Sequence, residues 1–121
     1  MKLSGSRIPS LLLPAMGLLL SALVVSCKTK GGGDFAAQIA AGQIVFEKNG
    51  CKNCHAVGGE GGRKGPDLTH VGKEAGHTPE WLTDHTKNPK THNPGSRMPA
   101  FEGKIDEKGL VSIGAYLSSL K

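Results

Sequence analysis

The sequence predicts an all-α domain with long loops, and three observations lead to this fold class. Three helices are readable, and the first and third carry apolar residues at helical spacing on one face. No stretch of four to eight residues alternates between apolar and polar side chains, as a half-buried strand would. The motif C-K-N-C-H at residues 51–55 indicates a covalently bound centre around which the loops are wrapped.

The chain divides into a signal segment at 1–26, a flexible tether at 27–34 and one folded domain at 35–121. Lys2 and Arg7 precede an apolar run of about 15 residues, which spans some 22 Å as a helix. This is shorter than the roughly 30 Å hydrocarbon core of a bilayer, so the run is predicted to be a cleaved export signal.

The end of the signal segment, Val24-Val25-Ser26-Cys27, resembles the lipobox of bacterial lipoproteins, although the commonest form has Leu at the position of Val24. The resemblance implies a diacylglycerol on the Cys27 sulfur and cleavage just before it. The alternative is an uncleaved signal kept as an anchor. In both cases the protein is expected in the periplasm of a bacterium or at the outer face of its cytoplasmic membrane. Attachment to the outer membrane is a further alternative. Lys28 and Lys30 would then lie near lipid headgroups.

Local signals place the three helices. The first is predicted from about Ala36 to Lys48, because Asn49-Gly50 is a good C-terminal stop. The second has Thr78 as its N-cap and Pro79 in its first turn, and it stops before Asn88-Pro89. The third is predicted from Asp106 to about Leu120.

The cysteine motif predicts a c-type haem. Two thiols three positions apart on a short helical turn, Cys51 and Cys54, can form thioethers with the two vinyl groups of one porphyrin edge. His55 then falls below the ring, where its imidazole can bind the iron. A zinc site would need two further ligands at suitable spacing, and a dithiol redox motif would be expected beside a βαβ pattern. With Cys27 assigned to lipid, no cysteine is left over.

Over residues 35–121 the chain resembles a small mono-haem class I cytochrome c. The resemblance implies the fold of that class, with three to four helices and long loops wrapped around one covalent haem. Within the class, the chain is similar to the cytochrome c domain of haem-copper oxidase subunit II. Besides the haem motif, the features that carry the resemblance are Gly42 with Phe46, Ile113 with Tyr116, Gly65-Pro66-Asp67-Leu68 and Gly95-Ser96-Arg97-Met98-Pro99.

Met98 is the candidate for the sixth iron ligand. It is the only thioether left once Met1 and Met16 leave with the signal, and it lies in a Pro- and Gly-rich loop 43 positions after His55. The alternatives are a methionine that fills a gap in the core and His92 as ligand, which would give a bis-histidine site. The other histidines are not favoured as ligands, and His77 and His85 are expected at the surface or on a helix face.

The resemblance also implies supporting residues. Pro66 matches the proline whose backbone carbonyl accepts the imidazole N–H of the ligating histidine, here His55. Trp81 has an indole N–H that could reach a haem propionate, as could the side chains of Arg63 or Arg97. The alternative for Trp81 is simple packing in the core. The glycine-rich run 58–62 is interpreted as flexible wrapping.

An iron with both axial positions filled by protein suits a one-electron carrier and offers no open site for catalysis, so the chain is not expected to be an enzyme. The main alternative is a haem-based sensor of small ligands or a peroxidase, with an open or bis-His iron. A further one is a lipoprotein that binds a metal without haem.

The net charge is +5, and it becomes +3 once Lys2 and Arg7 are removed with the signal. Basic residues near the expected haem edge would favour an acidic redox partner, such as a respiratory complex or oxidase. The alternative is that these charges only keep the protein soluble. No basic and aromatic motif indicates nucleic acid. The basic residues in question are Lys48, Lys52, Arg63, Lys64 and Lys104.

Overall fold

A computed structural model describes residues 32–121 of the chain. The predicted signal segment, Cys27 and most of the tether lie outside this range. No helix within 32–121 is long and apolar enough to cross a membrane. In chain order the elements are α1 (Gly32–Lys48), a 3-10 turn (Cys51–Asn53), β1 (Ala56–Val57), β2 (Glu60–Gly61), a second 3-10 turn (Val71–Lys73), α2 (Pro79–Lys87), a third 3-10 turn (Pro89–Thr91) and α3 (Glu107–Ser119).

The helix ends largely follow the local signals. The hydroxyl of Thr78 accepts a hydrogen bond from the backbone N–H of Trp81 at 3.2 Å, and α2 begins at Pro79 as predicted. Asp106 caps α3 in the same way, through the N–H of Gly109 at 2.8 Å.

The start of α1 was predicted too late. The helix begins four residues before Ala36, so residues 32–34 of the predicted tether are helical. The carboxylate of Asp34 lies in the first turn of the longer helix, where negative charge complements the helix dipole.

The N-terminal and C-terminal helices cross closely at Gly42. A Cβ at this position would run into the backbone carbonyl of Ser112 and would lie 2.8 Å from the Cβ of Tyr116, so only glycine permits the approach. One turn further on, the ring of Phe46 packs against that of Tyr116, with centroids 5.5 Å apart and planes inclined at 59°. The close crossing that the resemblance implied is therefore present.

Helix α2 packs on α3 through a second close contact and contributes to the same core. A Cβ at Gly114 would meet the side chain of Thr83 and the carbonyl of Pro79. The Thr83 hydroxyl donates to that carbonyl at 2.7 Å, which satisfies it in the buried interface. The buried apolar cluster consists of Phe46, Leu68, Val71, Leu82, Ile105, Leu110, Ile113, Tyr116 and Leu117.

The glycine-rich run forms a defined hairpin, which corrects its interpretation as flexible wrapping. Strands β1 and β2 pair antiparallel, with Val57 opposite Glu60. Gly58 and Gly59 have φ values of 63° and 81°, so two consecutive left-handed residues make the two-residue turn that suits a hairpin. Each strand has only two residues, which is too short for an alternating pattern to show in the sequence.

Candidate haem site

The turn that carries the two cysteines is helical, as the motif predicts. The N–H groups of Cys54 and His55 both donate to the carbonyl of Cys51, at 3.2 and 3.0 Å. Gly50 starts the turn with φ 70°, a left-handed value that suits glycine. Both cysteines are half-buried and neither is in a disulfide. Burial raises the pKa of the Cys51 thiol, whereas a reactive dithiol would need a lowered pKa.

The imidazole of His55 is buried and held in one orientation. Its Nδ1–H donates to the backbone carbonyl of Pro66 at 2.9 Å, the partner that the resemblance implied. That bond leaves Nε2 as the nitrogen with a free lone pair. Gly65 lies against the ring face, where an added Cβ would approach Cε1 to 2.5 Å and Nδ1 to 2.8 Å. The ring is thus clamped by backbone atoms.

A strap at residues 62–69 ties this histidine to the cysteine turn. Backbone N–H groups of Gly62 and Gly65 donate to the carbonyls of Lys52 and Cys54, at 2.7 and 2.8 Å. The N–H of Leu68 donates to the carbonyl of Ala56 at 2.8 Å. These bonds join residues 10 to 12 positions apart, so they fix the turn, the hairpin and the strap as one unit.

Met98 lies in a loop that leaves α2 at Asn88 and returns to it at Phe101. Its side chain is half-buried, and its backbone N–H donates to the hydroxyl of Ser96 at 3.2 Å. The loop closes where the N–H of Phe101 donates to the carbonyl of Lys87 at 3.1 Å. Within the loop the bonds are local. We call residues 88–101 the methionine loop.

Four flat side chains on and beside α2 lie against one another. His77 and His85 were expected at the surface or on a helix face; both are half-buried, and His85 lies on a face of α2. The ring of Trp81 has centroid distances of 4.2 Å to His77, 5.0 Å to His85 and 4.4 Å to His92, with planes within 15° of parallel. His77, Trp81 and His85 follow at i, i+4 spacing, and His92 comes from the methionine loop. We call these four residues the aromatic stack.

The stack shows where Trp81 and His92 lie. Trp81 is half-buried and packs against the apolar cluster, and the propionate contact expected for it stays a prediction. His92 is exposed, and its ring faces Trp81 and His85. Arg63 and Arg97 are exposed.

The donor set of the described residues fits a covalent haem. Two thiols free of disulfide lie on one turn, and an imidazole beside them has Nε2 left over. Gly65 lies against the ring on its Cε1 side, and the Pro66 carbonyl accepts from Nδ1. Nε2 is therefore the ring atom through which His55 would bind an iron.

Sequence reasoning missed the contacts made by Gly65 and His85. The sequence marks Gly65 only as part of the Gly-Pro-Asp-Leu run, and nothing local signals that its missing side chain makes room for an imidazole ten positions earlier. The position of His85 in α2 predicts only that it lies on a helix face or at the surface. Its i, i+4 relation to Trp81 was the available signal.

Three features define a small class I cytochrome c. The cysteine turn is hydrogen-bonded to the strap, the ring of the adjacent histidine is held by backbone atoms, and the first and last helices of the domain cross closely. Residues 37–117 match the family described as cytochrome C oxidase, cbb3-type, subunit III, and the chain belongs to that family. It therefore carries covalently bound haem c with its iron, and its class of function is haem-based electron transfer.

The chain is also similar to the cytochrome c oxidase subunit 2 of Alkalihalophilus pseudofirmus, with 38% identity over 86 residues. The alignment covers 66% of this chain and 25% of the relative, so the chain corresponds to about a quarter of that protein. No solved structure matches the chain.

Proposed function

We propose that the protein is an exported, membrane-tethered one-electron carrier, and not an enzyme, whose haem iron is ligated by His55 and Met98 and which serves a respiratory chain. The observation that carries the proposal is the hydrogen bond from Nδ1 of His55 to the carbonyl of Pro66 at 2.9 Å. A buried imidazole whose Nδ1 is committed to a backbone carbonyl has the tautomer and orientation of an iron ligand.

Cys51 and Cys54 would attach the haem through their sulfurs. Both cysteines are half-buried and free of disulfide, and burial raises the pKa of the Cys51 thiol. His55 would bind the iron through Nε2, and the Pro66 carbonyl would raise the basicity of the ring. When bound, the haem supplies a one-electron Fe(III)/Fe(II) couple.

Met98 is the proposed second axial ligand. Its loop is anchored at both ends on α2, and Pro99 restricts the backbone directly after it. His92, the rival in the same loop, has its ring engaged in the aromatic stack. A thioether favours the ferrous state and raises the potential relative to two nitrogens.

The partner is proposed to be a redox protein with an acidic docking surface. Around the cysteine turn, Lys48, Arg63 and Lys64 are exposed. Lys52 differs from these three residues because its ammonium forms ion pairs, at 3.8 Å from the carboxylate of Glu47 and 3.9 Å from that of Glu60. The similarity to an oxidase subunit supports a respiratory partner. Attraction of this kind mainly raises the association rate and weakens with salt.

The membrane tether is proposed to be a lipid on Cys27, five residues before α1 begins. That spacing would keep the domain close to the headgroups. Mass spectrometry of the wild-type N-terminus tests this, because a chain that begins at a lipidated Cys27 is expected. A chain that begins at Met1 with an unmodified Cys27 would support the anchor alternative.

The iron site is tested on the holoprotein made with a haem-attachment system. We expect haem to stay with the polypeptide after denaturation, the weak red band of iron–thioether bonding in the ferric spectrum, and no rapid CO binding to the ferrous form. A high-spin ferric spectrum with rapid CO binding would instead support the sensor or peroxidase. Colourless denatured protein would support a metal-binding lipoprotein without haem.

The electron-transfer partner is tested by pull-down from detergent-solubilised membranes that contain the lipidated protein. We expect subunits of a respiratory complex, captured at low salt and released at higher salt. Capture that is independent of salt would argue against an acidic docking surface.

A further inference from the structure

Lys87 lies at the base of the methionine loop and is in contact with both of its ends. It is the last residue of α2, and the loop begins at the next residue, Asn88. Its backbone carbonyl accepts hydrogen bonds from the N–H groups of Phe101 and Glu102, at 3.1 and 3.2 Å. The last carbonyls of an α-helix have no partner within the helix. The returning loop therefore binds to a group that α2 leaves available.

The side chain of Lys87 connects the same point to α3. Its ammonium donates a hydrogen bond to the carboxylate of Glu107 at 2.6 Å, between residues 20 positions apart. Glu107 is the first residue of α3, directly after the N-cap Asp106. A helix dipole favours negative charge at the start of a helix and positive charge at its end. Both members of the pair therefore lie at the helix end that favours their charge.

This ion pair is closer than the others in the described part of the chain. The three other ion pairs within residues 32–121 have separations of 3.5 to 3.9 Å. The Lys87 side chain is only 26% exposed, so its aliphatic stem is packed against protein. The hydrogen bond to Glu107 raises the pKa of the Lys87 ammonium, and the charges of Glu107, Asp84 and Glu102 add to this effect.

The position of Met98 depends on this base. Inside the methionine loop, the hydrogen bonds reach only two to four residues along the chain. The loop returns through the N–H of Phe101, three residues after Met98, which donates to the carbonyls of Thr86 and Lys87 at 3.3 and 3.1 Å. If α2 and α3 moved apart at Lys87, the anchor of this returning segment would move with them.

We infer that Lys87 and Glu107 are positioning residues, whose ion pair holds the base of the methionine loop closed and so keeps Met98 at the iron. The inference rests on the proposed ligation by Met98 and adds to it two residues that are not proposed to contact the haem. An outside ligand can bind the iron only after the thioether has left. The rate at which such a ligand binds therefore reports how often the loop opens.

The test uses substitutions in the holoprotein. Lys87→Leu keeps an apolar stem without the ammonium, Glu107→Ala removes the carboxylate, and a double variant combines the two. Lys87→Arg keeps a positive donor for Glu107. Lys90→Leu is the matched control, because Lys90 is an exposed lysine of the methionine loop that forms no ion pair within residues 32–121. The rate of binding of saturating imidazole to the ferric iron and the free energy of unfolding are measured for each.

We expect Lys87→Leu and Glu107→Ala each to speed imidazole binding about two- to fivefold, because a partly exposed ion pair has a modest effect. The double variant should be no faster than the faster single variant, since both changes break the same contact. Lys87→Arg and Lys90→Leu should match the wild type. The haem and the red ferric band should be retained in all variants.

Several results would overturn the inference. An unchanged imidazole rate in either single variant is one, because a pair that only supports the packing of α2 on α3 would lower the free energy of unfolding alone. Others are equal acceleration in Lys87→Arg or in Lys90→Leu, and additive effects in the double variant. Each can occur with covalent haem and the red ferric band intact, so it leaves the proposed function standing. A wild type without that band, whose imidazole rate rises in proportion to the imidazole concentration, would overturn both.

Discussion

The two sides of the site are built differently. On the His55 side, backbone hydrogen bonds connect the cysteine turn to a hairpin and a strap 10 to 12 residues away, and glycines allow the close contacts. On the Met98 side, the bonds inside the methionine loop reach only two to four residues along the chain. That loop is tied to the rest of the fold at its ends and through the ring of His92.

The difference indicates a division of roles. In the folded domain, backbone atoms orient His55, because its ring contacts Gly65 and donates to the carbonyl of Pro66. The methionine loop has less of its own structure and would rely on the bound haem for its final arrangement. Substitutions on the His55 side should therefore affect folding, and those on the Met98 side should affect the iron.

The largest effect is expected from removing both attachment points. Cys51→Ser with Cys54→Ser should leave a largely unfolded domain, because a domain this small buries little apolar surface without its haem. Circular dichroism and thermal unfolding check this, and Cys27→Ser is the control that spares the site. A cooperative thermal transition in the haem-free double variant would show that the His55 side folds without the haem.

Next in size is the loss of the proposed second ligand. Met98→Ala should keep the haem attached but lose the red ferric band, bind CO in the ferrous form and lower the midpoint potential, within the span of about 0.8 V that axial ligands cover. Helix content should stay near that of the wild type. An unchanged potential would remove Met98 from the iron.

A matched pair of glycine substitutions compares the two sides directly. Gly65→Ala places a methyl group within 3 Å of the His55 ring and should cost about 1–3 kcal/mol of unfolding free energy. Gly95→Ala, in the methionine loop, meets only the side chain of Asn93 at 3.6 Å and should change stability by less than about 0.5 kcal/mol. Denaturant titration of the two holoproteins measures the free energy of unfolding of each variant. Equal losses in the two variants would contradict the proposed difference between the His55 side and the Met98 side.

The smallest effects concern single hydroxyl groups. The hydroxyl of Thr69 accepts the N–H of Gly58 at 2.8 Å, and that of Ser96 accepts the N–H of Met98 at 3.2 Å. Thr69→Val should cost about 1 kcal/mol of stability without changing the iron. Ser96→Ala should leave stability nearly unchanged but speed the binding of added imidazole to the ferric iron. A stability loss in Ser96→Ala together with faster imidazole binding in Thr69→Val would indicate that the methionine loop is the more rigid side.

Local signals in the sequence predicted much of the fold. Thr78 and Asp106 cap their helices as their residue types suggest, and the haem motif forms the short turn that its spacing requires. The hairpin was missed because two-residue strands are too short to show a period, although Gly58-Gly59 is a typical turn pair. The early start of α1 was missed because glycines at 32 and 33 argue against a helix.

The sequence by itself determined which groups this protein has for chemistry: two thiols and an imidazole on one turn, and one thioether in a distant loop. These assignments follow from residue type and spacing, which act over a few positions. Only the tertiary structure decided that Gly65 clamps His55 and that Lys87 pairs with Glu107 at the base of the methionine loop. Both facts depend on surfaces that far-separated segments bring together, and no local pattern in the chain encodes such contacts.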